Sequence, residues 1–227
     1  GLEPFSGIIA GKIPKEIKIK ENGISFSVSL HEGQKSGYYV DQRDNRALLA
    51  TMLKDKTVLD CFAYTGGFSA YAKAAGATSV RSVDSSASAI VNLKSNYDLN
   101  KWTYQEDDLI EADCFEFLRQ CTDQFDVVIL DPPKLAPTRA AVERAQRAYK
   151  DINRLGISAV KPGGLLATFS CSGGMDFALF KQVLAWSALD AGREIQIIQQ
   201  FCQPADHPIR ASFPESEYLK GLLCRVL

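Results

Sequence analysis

The chain has 227 residues and a mass of 24.9 kDa, with 26 Lys plus Arg against 27 Asp plus Glu, a formal net charge of −1 and 46% hydrophobic residues. This composition excludes disorder, which needs low hydrophobicity with high net charge, and fits one domain, or one with a small appendage, that can bury a full core. No apolar run approaches the roughly 20 residues of a membrane span, and GLEPFSGIIAGKIPKE lacks signal-peptide architecture, so a soluble, intracellular, cytoplasmic protein is expected.

The first residue is Gly1 rather than Met, which reads as a fragment with sequence upstream that could include a whole partner domain. Cys61, Cys114, Cys121, Cys171, Cys202 and Cys224 form no CxxC pair, and only His31 and His207 are available. Neither a metal site nor a disulfide scaffold is indicated.

In chain order, EIKIKENGISFSVSL alternates apolar Ile17, Ile19, Ile24, Phe26, Val28 and Leu30 around Asn22-Gly23, which predicts a hairpin with a tight primed turn. A second extended segment, QKSGYYVDQ, precedes helical spacing in DQRDNRALLATMLK. Short apolar runs then alternate with longer helical ones. The strand KTVLDCF leads to a helix from about Gly67 to Ala75, and SVRSVD leads to SASAIVNLKSNYDLN. The helix CFEFLRQC, the strand FDVVILD and a long helix from about Arg139 to Val160 follow, then GGLLATFSC, the helix DFALFKQVLAWSALDAG, EIQIIQQF and a last strand near YLKGLLCRVL. This alternation predicts βαβ units and a mostly parallel sheet with helices on both faces.

In such sheets ligands bind beyond the carboxyl ends of the strands, so the residues after each apolar run are the place to seek chemistry. After the first parallel strand, residues 60–69 form a turn whose Gly66-Gly67 pair admits a close backbone approach, although a βα turn also uses Gly for conformation alone. The turn is neither a P-loop nor a dinucleotide fingerprint. Asp84 ends the second strand, where a carboxylate reaches ribose hydroxyls. Asp113 precedes a helix and would contact an adenine edge or serve as an N-cap. The fourth strand ends in Asp131-Pro-Pro-Lys134, a carboxylate held by two rigid residues, or a plain turn. The fifth ends at Cys171, followed by small residues and an approaching helix N-terminus that favours thiolate; it is the best nucleophile candidate. The other five cysteines read as inert small hydrophobes.

Together the Gly-rich turn, the acid after the second strand and the Asp-Pro-Pro motif resemble the class I S-adenosylmethionine-dependent methyltransferases. The runs QKSGYYVDQRDNR, LDCFAYTGGFS, DPPK, RAYKDINRL, FSCSGGM, ADHPI and YLKG are similar to those of the RlmI-type large-subunit ribosomal RNA cytosine-C5 methyltransferases, over residues from about 30 to 227. The resemblance implies a Rossmann-like fold with a mostly parallel seven-stranded sheet, in which 1–45 is an N-terminal β-rich region and 46–227 the methyltransferase domain. It implies S-adenosylmethionine as cofactor, with Phe62, Tyr64, Thr65 and Gly66 around its methionine part, Asp84 and Ser85 at the ribose, Asp113 and Cys114 at the adenine, and Gln42, Arg43 and Asp131 closing the pocket. It also implies a large-subunit ribosomal RNA partner and a homodimer. Members of that family carry an N-terminal PUA domain for RNA, a pattern from which this sequence departs, and this puts its independent RNA affinity in doubt.

The chemistry implied is a covalent adduct of Cys171 with cytosine C6, with Asp131 on N3 or the N4 amine. Where many RNA cytosine-C5 methyltransferases place a second cysteine, this chain has Pro133-Lys134, which implies a single-cysteine variant. Between Lys134 and Arg154 the basic residues Lys134, Arg139, Arg144, Arg147, Lys150 and Arg154 outnumber Glu143 and Asp151; they would grip phosphate or form a solvated helix face. Lys12, Lys15, Lys18 and Lys20 form a second basic cluster on the hairpin. The rival functions are an amino-group nucleic-acid methyltransferase using Asp-Pro-Pro, a noncatalytic cofactor-binding RNA module, and a nicotinamide-dependent oxidoreductase, which the absent G-x-G-x-x-G disfavours.

Overall fold

Asn22 and Gly23 both take positive φ, 48° and 86°, as a primed turn requires, and they join β1 (Ile17–Glu21) to β2 (Ile24–Val28) with Glu21 opposite Ile24. In this computed structural model residues 7, 10–12, 14, 17–28, 37–135 and 142–227 are described. The hairpin does not stand apart. Its backbone amides at Ser25 and Ser27 donate to Asn100 Oδ1 at 3.0 Å and Asn96 Oδ1 at 2.7 Å, and Phe26 is fully buried.

The extended segment expected over 34–42 is corrected in its described part. Residues 37–39 bend, Val40–Gln42 form a 3-10 turn, and α1 follows as Arg43–Ala50. The cause is tertiary: the Tyr38 ring packs 4.7 Å from Phe26 and its hydroxyl donates to Glu21 Oε1 at 2.9 Å, which turns the chain inward. From here the predicted rhythm is realised in β3 (Thr57–Cys61), α2 (Gly67–Ala74), β4 (Ser79–Asp84) and α3 (Ala87–Leu99). A three-residue strand, β5 (Leu109–Glu111), precedes α4 (Cys114–Leu118), which is shorter than the predicted eight-residue run. Then come β6 (Phe125–Leu130), α5 (Val142–Ala159), β7 (Val160–Ser170), α6 (Phe177–Asp190), β8 (Ile195–Cys202) and β9 (Lys220–Val226).

The seven-stranded sheet runs in the order β5-β4-β3-β6-β7-β9-β8. Its first five strands are parallel, while β9 lies antiparallel between β7 and β8. Alternate side chains of each inner strand enter opposite cores. Val58, Val127, Ile129 and Ala167 pack with Leu49 of α1, Leu53 just beyond it and Phe68 of α2, while Leu59, Val128, Leu130 and Leu166 pack with residues of α4, α5 and α6. Each fully buried leucine of this kind contributes about 1.5–3 kcal/mol, so both faces are committed and function is left to the strand ends. Cys61, Cys114, Cys121 and Cys224 are buried as expected. Cys202 is exposed: on edge strand β8 its neighbour Phe201 takes the inward position, so period two points Cys202 out. Among the described residues no helix is long and apolar enough to cross a membrane.

Candidate active site

The chain leaves β3 for β4 on one side and later returns to β6 on the other, so the crevice opens between the carboxyl ends of β3 and β6. The loop after β3 is bent tightly there. Phe62 and Tyr64 have φ of 60° and 49°, which costs a non-glycine residue about 1–2 kcal/mol each, and Gly66 has φ of 79°. Hydrogen bonds hold the bend: Phe62 N to Cys114 Sγ at 3.2 Å, Ala63 N to Val83 O at 3.1 Å, Tyr64 N to Asp84 Oδ2 at 2.9 Å and Gly66 N to Ala63 O at 2.8 Å. A Cβ on Gly66 would stand 2.6 Å from Leu93 Cγ, so the residue is required by packing as well as by conformation. Buried Thr65 is fixed through its carbonyl, which accepts from Asn96 Nδ2 at 2.8 Å.

Two acids lie deep in the crevice. Asp60 is 1% exposed and accepts from Ser69 N at 2.9 Å and Ser69 Oγ at 2.5 Å; burial, opposed by these bonds and reinforced by Asp131 and Asp84, pushes its carboxyl up to about 7. Asp131, after β6, accepts from Gln42 Nε2 at 3.1 Å, and Gln42 in turn accepts from Asn45 Nδ2 at 2.6 Å. Burial of its carboxyl group also raises Asp131 to about 7, against the Gln42 bond. Neighbouring Asp41 accepts from Tyr218 Oη at 2.8 Å on Oδ2, while its buried Oδ1 has no hydrogen-bond partner among the described residues. Tyr39 stands among all of these. Its ring meets that of Tyr64 at 5.5 Å, and its hydroxyl is pushed up by burial first and then by Tyr64, Cys171, Asp131 and Asp41.

Cys171 follows β7 directly and is partly exposed. Its two neighbours are buried and tied to α5: Ser170 Oγ donates to Tyr149 Oη at 3.0 Å, and Tyr149 Oη lies 3.1 Å from Ser172 Oγ. The helix N-terminus expected to assist the thiolate is already capped, because Asp176 Oδ1 accepts from Leu179 N at 2.8 Å. A buried cation, Lys220 of β9, lies directly opposite Ser170. It is 3% exposed, and its ammonium donates to Ser172 O and Tyr218 O, both at 2.8 Å.

The remaining predicted positions divide. Asp84 gives Oδ2 to Tyr64 N and Oδ1 to Ser86 N at 2.9 Å each, with exposed Ser85 between those residues in sequence. Asp113 caps α4, accepting from Phe115 N at 2.9 Å and Glu116 N at 3.0 Å on Oδ1 alone, and the Cys114 thiol is buried against Phe62. The Arg43 guanidinium donates to Asp44 and, bidentate at 3.0 and 3.2 Å, to Asp206. Lys134, Arg144 and Arg147 are exposed, whereas Lys150 pairs with Asp190 at 2.6 Å and Arg154 with Asp151 at 2.7 Å. Arg139 and Lys15 lie outside the described residues. Asp41, Tyr39, Tyr149, Tyr218 and Lys220 were not singled out from sequence. Only Lys220 carries a local signal, a charge inside the apolar run LKGLLC.

The family model for S-adenosylmethionine-dependent methyltransferases matches residues 6–209. A protein of Pseudoalteromonas atlantica named "Ribosomal RNA large subunit methyltransferase I" is 50% identical over 230 residues, covering 100% of this chain and 58% of its own length, and one of the same name from Alteromonas mediterranea is 50% identical over 229. The chain thus spans 58% of the length of these curated relatives. A crystal structure of a provisionally assigned methyltransferase complexed with SAH superposes with a TM-score of 0.84 at 25% identity, covering 96% of this chain and 58% of that one.

Proposed function

The chain belongs to the S-adenosylmethionine-dependent methyltransferase family, and from that premise we propose that it methylates C5 of a cytosine in large-subunit ribosomal RNA, with Cys171 as the covalent nucleophile. The observation that carries this reading is the meeting of Cys171, Asp131 and the 62–66 loop around Tyr39. The names of the relatives supply the RNA, and the two-domain division at residue 45 remains part of the same reading.

The crevice suits the cofactor by its donor set. Each Asp84 oxygen accepts one amide and keeps lone-pair capacity for a ribose hydroxyl, Asp113 Oδ2 is left outside the cap for an adenine amine, and the orphaned Asp41 Oδ1 suits a cationic amine or hydroxyl. Tyr64, Thr65 and Gly66 would hold the methionine part, with Phe62 and Ser85 at its margins. Gln42, which also holds Asp131, and Arg43 would close the pocket. Bound S-adenosylmethionine supplies an electrophilic methyl group.

Cytosine C5 is a poor nucleophile, so Cys171 Sγ adds to C6 and the C5–C6 π pair moves to C5. Asp131, poised near 7, donates to N3 as the acid and so stabilises the negative charge that gathers on the ring; as the carboxylate it accepts from the N4 amine and orients the base. After C5 is methylated, loss of its proton returns the pair to C5–C6 and breaks the S–C6 bond, restoring the thiolate. The target base must be unpaired or flipped from its stack, with exposed Lys134, Arg144 and Arg147 on flanking phosphates.

The test is methyl transfer from labelled S-adenosylmethionine to unmethylated large-subunit ribosomal RNA, with the product nucleoside identified by mass spectrometry. Wild type should form 5-methylcytidine, and Cys171→Ala should lose on the order of 10³-fold or more in rate while still binding cofactor. A methyl group on an exocyclic nitrogen, or full activity without Cys171, overturns the C5 reading in favour of amino-group transfer.

A further inference from the structure

Lys220 is a charged residue in the interior of an otherwise apolar strand, and the fold gives it an unusual surrounding. Burying an ammonium group costs several kcal/mol unless an anion compensates it. Here, among the described residues, its ammonium makes no ion pair; its two partners are the neutral carbonyls of Ser172 and Tyr218. Both carbonyls belong to the wall of the candidate site. Ser172 directly follows Cys171, and the Tyr218 hydroxyl is bound to Asp41.

We infer that Lys220 is the positioning residue that stabilises the Cys171 thiolate, anchoring the 171–172 turn through Ser172 O and supplying the positive charge that the capped end of α6 does not. This rests on the reading of Cys171 as the nucleophile. Cys171 acts on Tyr39 from the segment before α1, on Tyr149 from α5, and on Tyr218 and Lys220 beside and within β9. Lys220 is further surrounded by Glu217, Asp176 and Lys134. Burial lowers its pKa, and the Cys171 sulfur is the largest influence restoring it. The three tyrosines are held neutral by burial, whereas Lys220 is a buried cation. On ionisation the thiol proton leaves to water and Lys220 keeps its own. The attacking sulfur is then present as thiolate at neutral pH.

The experiment is the pH dependence of iodoacetamide alkylation at Cys171, followed by mass spectrometry of that peptide, in wild type, Lys220→Met and Lys220→Gln. It requires neither RNA nor methyl transfer, so it succeeds or fails independently of the methylation assay. Folding of the variants is checked by binding of S-adenosylhomocysteine. Wild-type Cys171 should ionise below the free-thiol value of about 8.5, and in a folded variant its midpoint should rise by about one unit, a roughly tenfold loss of alkylation rate at neutral pH. A merely structural lysine would leave the midpoint in place. A wild-type midpoint at or above about 8.5 overturns the inference without any lysine variant. So does a depressed midpoint that stays put in a folded Lys220→Met or Lys220→Gln protein.

Discussion

The junction of the hairpin with α1 and the carboxyl edge of the sheet both bury ionisable groups, but they answer them differently. At the junction Arg46 and Glu21 are 3% and 7% exposed and face each other at 2.8 Å. Tyr38 and Tyr71 both donate to Glu21 Oε1, Arg46 also donates to Tyr39 O at 2.9 Å, and its guanidinium lies 4.9 Å from the Tyr38 ring centre. At the sheet edge, Asp60 faces a serine and Lys220 two carbonyls. A buried charge whose opposite charge is inside the protein serves architecture. One held by neutral groups is left able to respond to a ligand or to a change of protonation.

The largest effect should come from breaking the closed network. Arg46→Met leaves Glu21 buried without a cation and should cost about 3–5 kcal/mol in urea unfolding, with Glu21→Gln recovering part of it in the double variant. A loss below about 1 kcal/mol would mean that the junction is not closed in this sense. The open edge should instead show itself through pH. Asp60 stands at about 7, above the roughly 3.9 of an unfolded chain, so the folded state holds its proton across that window. Its contribution is fully present below about pH 4, is lost as the pH rises to about 7 and is level above, at about 1.4 kcal/mol for each unit of difference. The stability of wild type relative to Asp60→Asn should therefore fall between pH 4 and 7, measured by denaturant titration at each pH; a flat difference would contradict this account. The smallest effect is expected at a half-exposed cation. Lys161, 3.1 Å from Asp126 at the opposite end of the sheet, should lose less than about 1 kcal/mol on replacement by Met.

The strands that form the middle of the sheet were legible because parallel strands covered on both faces read as continuous apolar runs, as in FDVVIL and LLATF. The ends of those strands were legible for the same reason, and Asp84, Asp131 and Cys171 could be picked out as the residues that follow them. Leu109–Glu111 has too few residues to show any period, so β5 was not delimited. The segment before α1 alternates like a strand, but Tyr38 is drawn to Phe26 and Glu21 across the chain, a contact no local pattern encodes. Arg43 and Gln42 are adjacent in sequence yet diverge, one to Asp206 and the other to Asp131, because the 3-10 turn gives way to α1 between them. Lys220 was passed over in sequence although it is a charge inside an apolar run. Its partners depend on the antiparallel register that sets it opposite Ser170, some 50 positions earlier in the chain.

That register has a consequence for the order of assembly. Strand β9 lies between β7 and β8 although the ribosome makes it after both. Until residues 220–226 emerge, β7 and β8 each carry an unpaired backbone edge, because they pair with β9 and not with each other. The strand that closes this gap also delivers Lys220 beside Cys171. A nascent chain therefore cannot bring the Lys220 ammonium to Ser172 O before its sheet is complete: insertion of a single late strand both finishes the scaffold and sets the buried charge against the turn that holds Cys171.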